Sequence, residues 1–437
     1  MIQDAQGHHL SGATREAVNA YDSAIRAFNL VHGDAVGLFD EACQAAPEFA
    51  MAYLGKAWVF ALGNDPGLMT QARALIETAR PLALNDREQA HLAALSHLTE
   101  GARAAAVAVL DRHLMRYPFD LVAHQGAVVT DGFLGRFSWV RDRSARAIPF
   151  WSKDQPGYAT LLAFHAFGLE EAGNYARAED ESREAAEREP LSFWPHHTVA
   201  HVMEMAGRPE DGLGWMAARE GQWSGPGHMN EVHIWWHKAL FHLELGQYDA
   251  ALALYDGPIR STQRPVALSL TNASALLWRL DTLGVDVGDR WGELAALWEG
   301  HADGKCLVFG DIHAAMAELR SDQEALVERR LKAMRKTAAN GAEAAISTAA
   351  SASRLSRASR RSIAAPMPRR STCCCQSASV YGRSAAATRS ATLSTGPLPR
   401  PPCVPVNAML PCRWPTNAWR AAHAAPRTAA SVTTRRP

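Results

Sequence analysis

Long apolar runs are missing. No stretch of eighteen consecutive apolar residues occurs in the 437 residues, which argues against a membrane-spanning helix. The opening residues, MIQDAQGHHL, lack the charged and apolar regions of a secretory signal, so a cytoplasmic protein is expected. Cysteine is scarce before residue 346: only Cys43 and Cys306 of the seven fall there, which excludes a disulfide framework or a thiolate metal site in that part. Lysine and the acidic residues vanish after Ala345, since Ile346 to Pro437 hold 14 Arg and no Lys, Asp or Glu. The formal net charge of zero therefore averages two unlike halves. Residues 1–345 carry 31 basic and 45 acidic side chains, a net charge of −14, which argues against nucleic acid as the main partner. Phosphate-binding glycine fingerprints and the G-x-S-x-G elbow of serine hydrolases are also absent.

Helical periodicity is what fills the chain from residue 14 to about 336. Apolar residues recur at three- and four-residue spacing, and strand-like alternation does not appear. Short breaks such as Gly63-Asn64-Asp65-Pro66, Gly173-Asn174 and Gly246-Gln247 separate helices of 12 to 18 residues. The turn glycines Gly173, Gly207 and Gly246 are spaced by 34 residues and then by 34 plus an insertion of five. Thirty-four residues is the tetratricopeptide period. Small residues before the turn (Ala166, Ala200, Ala239), an aromatic after it (Tyr175, Tyr248) and small residues in the second helix (Ala178, Gly212, Ala251) fit that repeat. The expected fold is an all-α, right-handed helical-repeat solenoid of about eighteen helices over 14–336. Residues 1–13 then form an N-terminal extension, and 337–437 a disordered tail.

The tail is built from Ala, Ser, Arg, Pro and Thr, includes Cys373-Cys374-Cys375, and has no apolar period. One reading is a basic arm for nucleic acid or membranes. Its residues, however, are spelled mostly with G/C-rich codons, as a translation in the wrong frame would be. Joining the third base of each codon to the first two of the next lets Arg370 to Ala378 be read as VDLLLPVR, an ordinary helical phrase. The expectation is a frameshifted C-terminus, with a one- or two-base slip in the coding DNA between codons 335 and 350.

From about Gln3 to residue 335 the chain resembles the tetratricopeptide-repeat protein 38 family. The resemblance is sharpest in WPHHTVAHVMEMAGRPEDGLGWM (Trp194–Met216) and NEVHIWWHKALFHLELGQYDAALALYD (Asn230–Asp256). The shifted reading of Arg383 to Gly396 also matches that family's C-terminal phrase. The resemblance implies an α-helical repeat protein without an established enzymatic reaction.

Histidine is the unusual residue. In a repeat of this kind the second, fifth, ninth and twelfth or thirteenth residues of the first helix face the concave groove. These are Trp194, His197, His201 and Glu204 in one repeat, and His233, Trp236, Leu240 and Glu244 in the next. Phe167 and Glu170 hold the last two places in the preceding repeat. Three readings remain open. The first is a groove that contacts a peptide or small amphipathic ligand. The second is a metal site from His197, His201, Glu204 and His233, hence a metal-dependent hydrolase. The third is packing alone. Thr198 stands where the glutamate of an H-E-x-x-H motif would be, so binding without a cofactor is preferred and catalysis is not expected. His165, His196, His237 and His242 are expected to be satisfied core residues, and Trp151, Trp215, Trp223 and Trp235 interhelical filler.

Overall fold

The computed structural model describes residues 2–260, 266–303 and 308–339. Among these the chain is all-α, with no strand beyond the isolated bridges Gln3–His9 and His32–His228. Helices follow one another as antiparallel neighbours: α1 (Arg15–Leu30) and α2 (Ala35–Ala45), α3 (Ala50–Leu62) and α4 (Pro66–Ala79), α5 (Asp86–Thr99) and α6 (Arg103–Arg116). Next come α7 (Leu121–Leu134) and α8 (Phe137–Ala147), α9 (Tyr158–Glu171) and α10 (Tyr175–Arg188), and α11 (Phe193–Met205) and α12 (Pro209–Ala218). A single turn, α13 (Glu220–Trp223), precedes α14 (Glu231–Glu244) and α15 (Tyr248–Leu254). The series ends with α16 (Ala267–Thr282), α17 (Arg290–Leu297), α18 (Val308–Arg320) and α19 (Glu324–Ala339). No helix of the described residues is long and apolar enough to cross a membrane.

Local sequence sets the helix ends. Thr14 caps α1 by accepting from the Ala17 amide, and Asp65 caps α4 ahead of Pro66 at the first helical position. Asn85 and Glu88 form a reciprocal capping box on α5. At the other end, Gly173, Gly207 and Gly246 all take positive φ, at 84°, 64° and 70°. In each case the next amide reaches back five residues: Asn174 to Leu169, Arg208 to Met203 and Gln247 to His242, at 2.8–2.9 Å. That left-handed step is why glycine marks the turns.

Small residues then let helices approach. A Cβ on Gly212 of α12 would lie 2.4 Å from the Phe241 ring of α14, and Ala178 and Ala251 are fully buried. The core is not one centre. It runs along the array in three main patches, from α1 to α7, from α7 to α14 and from α14 to α18, as expected when each hairpin covers its neighbour's apolar face. Distant parts of the array also meet. The Asp65 carboxylate accepts from His301 at 2.7 Å and from the Ala267 amide at 3.4 Å, and the Gly33 amide donates to Gly227 at 2.8 Å.

Ahead of the first helix, buried Asp4 accepts the amides of Gln6 and His8 within the segment, and the Ala5 amide to Asp22, the Ser11 amide to Glu88 and Asn85 to the His9 carbonyl tie residues 2–13 to the array. The tail expected to be disordered, apart from the end of α19 at Ala339, lies outside the described residues, as does Cys306.

Candidate functional site

The first helices of three consecutive hairpins, α9, α11 and α14, deliver the expected histidines to one place. His197 and His201 are four residues apart on α11, so a 40° offset after one turn keeps both on one face. His233 comes from α14, with its Nε2 only 3.0 Å from His197 Nε2. His237 joins them: it is buried as expected of a core residue, but its Nε2 has no hydrogen-bond partner, so it is not a satisfied one. Its ring centre lies 5.2 Å from His197, 4.6 Å from His201 and 4.7 Å from His233. The reason is again the four-residue spacing: His237 shares a face with His233. One nitrogen from each of the four rings lies within 4.8 Å of all the others.

Aromatic rings wall this cluster. Phe193 stacks on His197 at 4.9 Å and 19°, and Trp236 stacks on His233 at 5.4 Å and 11°. Phe167 of α9 touches His197 and His201. Trp194 packs against Phe164 and Phe167 and donates its Nε1–H to Gln125 at 3.0 Å. Phe167, Glu170, Trp194, His197 and Trp236 are buried, whereas His201, Glu204 and His233 are half-buried and Glu244 is exposed. Solvent therefore reaches the cluster at His201, Glu204 and His233.

Carboxylates surround the rings. His201 Nδ1 faces Glu170 at 3.2 Å and Glu171 at 3.9 Å, and His237 Nδ1 bonds Glu204 at 3.2 Å. His233 Nδ1 bonds Asn272 Oδ1 of α16 at 2.7 Å, and Asn272 is oriented by its own donation to the Leu268 carbonyl. These partners separate the four imidazoles electrostatically. Burial opposes a charge on His201, but Glu170, Glu171 and Glu204 outweigh it and raise its pKa to about 9. Burial first, and then the charge of neighbouring His237, lower His233 to about 3. Burial and the neighbouring histidines hold His197 well below the usual range, and burial with His201 and Arg279 does the same to His237. Partial burial and the Glu204 carboxylate raise Glu244. The surroundings thus favour charge on His201 and disfavour it on the other three rings.

The other expected core histidines divide. His165 is buried and bonds Glu181 at 2.6 Å, and His196 is buried with its Nε2 on the Pro190 carbonyl at 2.8 Å. His242 is not core: it is half-buried and bonds Gln247. Trp151, Trp215 and Trp223 are buried between helices, and half-buried Trp235 packs edge-on to Trp223. Cys43 has its thiol pushed up to about 12 by burial and by Asp40, which disfavours the thiolate a nucleophile needs.

A second polar cluster was not foreseen at all. Asp120, at the N-cap of α7, is fully buried and accepts on one oxygen from Arg87 at 2.6 Å, His91 at 2.9 Å and His113 at 3.0 Å. Trp58 donates to His91 Nδ1 at 2.9 Å, so the His91 proton sits on Nε2 and points at Asp120. Burial alone would raise the Asp120 carboxyl, but Arg87 and the two histidines hold it well below its ordinary value.

A search of family models finds no match to the chain. Among solved structures, the crystal structure of yeast Tom70 is similar over 79% of this chain and 90% of that one, at 13% identity and a TM-score of 0.35. The helical-repeat character of the chain rests on its own paired helices and turn glycines.

Proposed function

We propose that the chain is a helical-repeat binding protein. In this reading it takes a peptide segment or small amphipathic ligand at the face built by α9, α11 and α14. The observation that carries this reading is Trp236. Its ring stacks on His233 and lies under Arg279, yet its Nε1–H is buried without an acceptor. An unpaired buried donor costs about 1–3 kcal/mol, so a site that keeps one gains when a ligand oxygen fills it. The His201 cation and the Arg279 guanidinium favour a carbonyl or carboxylate there, and Phe193, Phe167 and Trp236 offer apolar contact.

A random-peptide display selection on the full chain, carried out in the presence of a chelator, tests the reading. Selected peptides should lose at least ten-fold in affinity on Trp236→Phe, which keeps the ring and removes the N–H, and again on Glu204→Gln. Equal affinity for both variants and the parent would refute it. A metal-dependent hydrolase at the same residues is the second reading, favoured by the two carboxylates beside His201. Turnover of a peptide or ester pool that is abolished by Glu170→Gln would favour it over binding.

A further inference from the structure

We propose that His197, His201, His233 and His237 together bind one zinc-like divalent transition-metal cation, with Glu170, Glu204 and Asn272 as the outer partners that aim the rings. The inference concerns the same place as the ligand-binding reading but does not depend on it.

The geometry supports a site of this class. Four imidazoles around zinc place nitrogens about 2.0–2.1 Å from the metal, hence about 3.3 Å from one another. One pair of ring nitrogens is already at 3.0 Å, and all four lie within 4.8 Å of one another. Reaching that spacing asks the farthest nitrogens to close by up to about 1.5 Å.

Ring orientation is the independent observation. Metal-bound histidines as a rule present one nitrogen to the ion and give the other N–H to a carboxylate or a carbonyl. Two of these four do so through Nδ1, His237 to Glu204 and His233 to the amide oxygen of Asn272, and His201 Nδ1 lies 3.2 Å from Glu170 as an ion pair. The Asn272 orientation is fixed by its bond to Leu268, so His233 Nδ1 is the donor and its Nε2 is a bare lone pair. His237 Nε2 is buried with no hydrogen-bond partner, and so is His197 Nδ1. A buried lone pair with no donor is costly, as at His237 Nε2, and His233 Nε2 has only His197 Nε2 at 3.0 Å to meet it; a cation takes these three nitrogens at once. Glu170, Glu171 and Glu204 supply negative charge against a dication. The half-buried His201 and Glu204 leave a path from solvent. On binding, His201 gives up its ring proton to solvent and its Nε2 lone pair goes to the metal.

The full chain, expressed without a histidine tag and with its cysteines alkylated, should take up one equivalent of cobalt(II). It should then show the intense visible bands of tetrahedral coordination. X-ray absorption on the zinc form should show imidazole scattering from four nitrogens and no sulfur. His237→Gln and His201→Gln should each weaken zinc binding at least 100-fold, and Glu204→Gln about 10- to 100-fold. Should a variant fail to fold by circular dichroism, the cobalt and X-ray spectra of the parent chain decide alone. No stoichiometric uptake by the folded parent, octahedral cobalt bands, sulfur ligation, or unchanged affinity in folded His237→Gln would each overturn the proposal. Peptide binding that survives the chelator while metal uptake fails would overturn this inference alone.

Discussion

Replacing Asp120 by alanine should be among the most damaging single changes in the chain, although it lies far from the histidine cluster in sequence. Arg87 is 3% exposed, and Asp120 and His91 not at all, so this is an ion pair without water. The carboxylate also takes the Ala123 amide on its second oxygen and so caps α7. In its absence Arg87 keeps only Asp4, at 3.5 Å, and the Nε2–H groups of His91 and His113 lose their acceptor. Stranding one member of a buried pair costs about 3–5 kcal/mol, and losing an N-cap about 1 more. The total, about 4–6 kcal/mol, is comparable to the whole stability of many domains. Asp120→Asn should cost less, because its oxygen can still cap α7 or accept one donor.

Urea denaturation followed by circular dichroism reads the loss as a fall in midpoint at unchanged slope. Hydrogen exchange should localise it, with amides of α5, α6 and α7 losing about two to four orders of magnitude of protection for a 3–5 kcal/mol local loss. The comparison is Arg116–Asp86, a pair of similar length at 3.0 Å with both side chains more than 60% exposed. Asp86→Ala should leave the midpoint where it is, because exposed pairs are screened. If Asp120→Ala shifts stability by less than about 1 kcal/mol, the argument that this network is a desolvated, mutually dependent unit fails.

Two glycine substitutions should have opposite signs. Gly168→Ala puts a Cβ 2.4 Å from the Arg141 backbone nitrogen and should destabilise by about 1–3 kcal/mol, whereas Gly214→Ala, with open space around it, should stabilise by up to about 1 kcal/mol; paired thermal melts check both. Acid should destabilise the fold well above the carboxylate range. Burial lowers His91, His124 and His313 to about 4, against an ordinary value of 6.5, so each is neutral when folded and charged when unfolded. The stability they confer is complete above about pH 6.5 and falls toward pH 4 by about 1.4 kcal/mol per pH unit for each, and His124→Gln should flatten the slope of midpoint against pH between 6.5 and 4.5.

The fold was legible because its rules are local. Gly173, Gly207 and Gly246 mark positions where the chain must take positive φ, and the 34-residue spacing sets the hairpins in register. Caps at Thr14, Asp65 and Asn85 follow from residue type and neighbours alone. The Asp120 network was not legible, and for a physical reason. Its members, Asp4, Trp58, Arg87, His91, His113 and Asp120, come from the N-terminal segment, α3, α5, α6 and the start of α7. No spacing along the chain records that meeting, and each residue separately looks like an ordinary surface or helix position.

The histidine site falls between these cases. Offsets along a first helix were enough to bring His197, His201 and His233 together, yet they assigned His237 to the core. The sequence did hold the missing signal. His197 and His201 are repeated by His233 and His237 with the same internal spacing of four, and the pairs are displaced by 36 residues, which is the local Gly207–Gly246 interval of 39 less three, about one helical turn. In a helical-repeat array, positions displaced by about one repeat sit side by side on adjacent first helices, so two such pairs make a square and not a stripe. A single i, i+4 pair has many explanations in packing. A square of four has few, because like-charged rings at 4.3 to 5.2 Å repel if protonated and leave lone pairs unmet if neutral. Neutral rings meet part of this need through the His197–His233 contact at 3.0 Å, but that leaves the buried His237 Nε2 without a partner, which is the lone pair a cation would take.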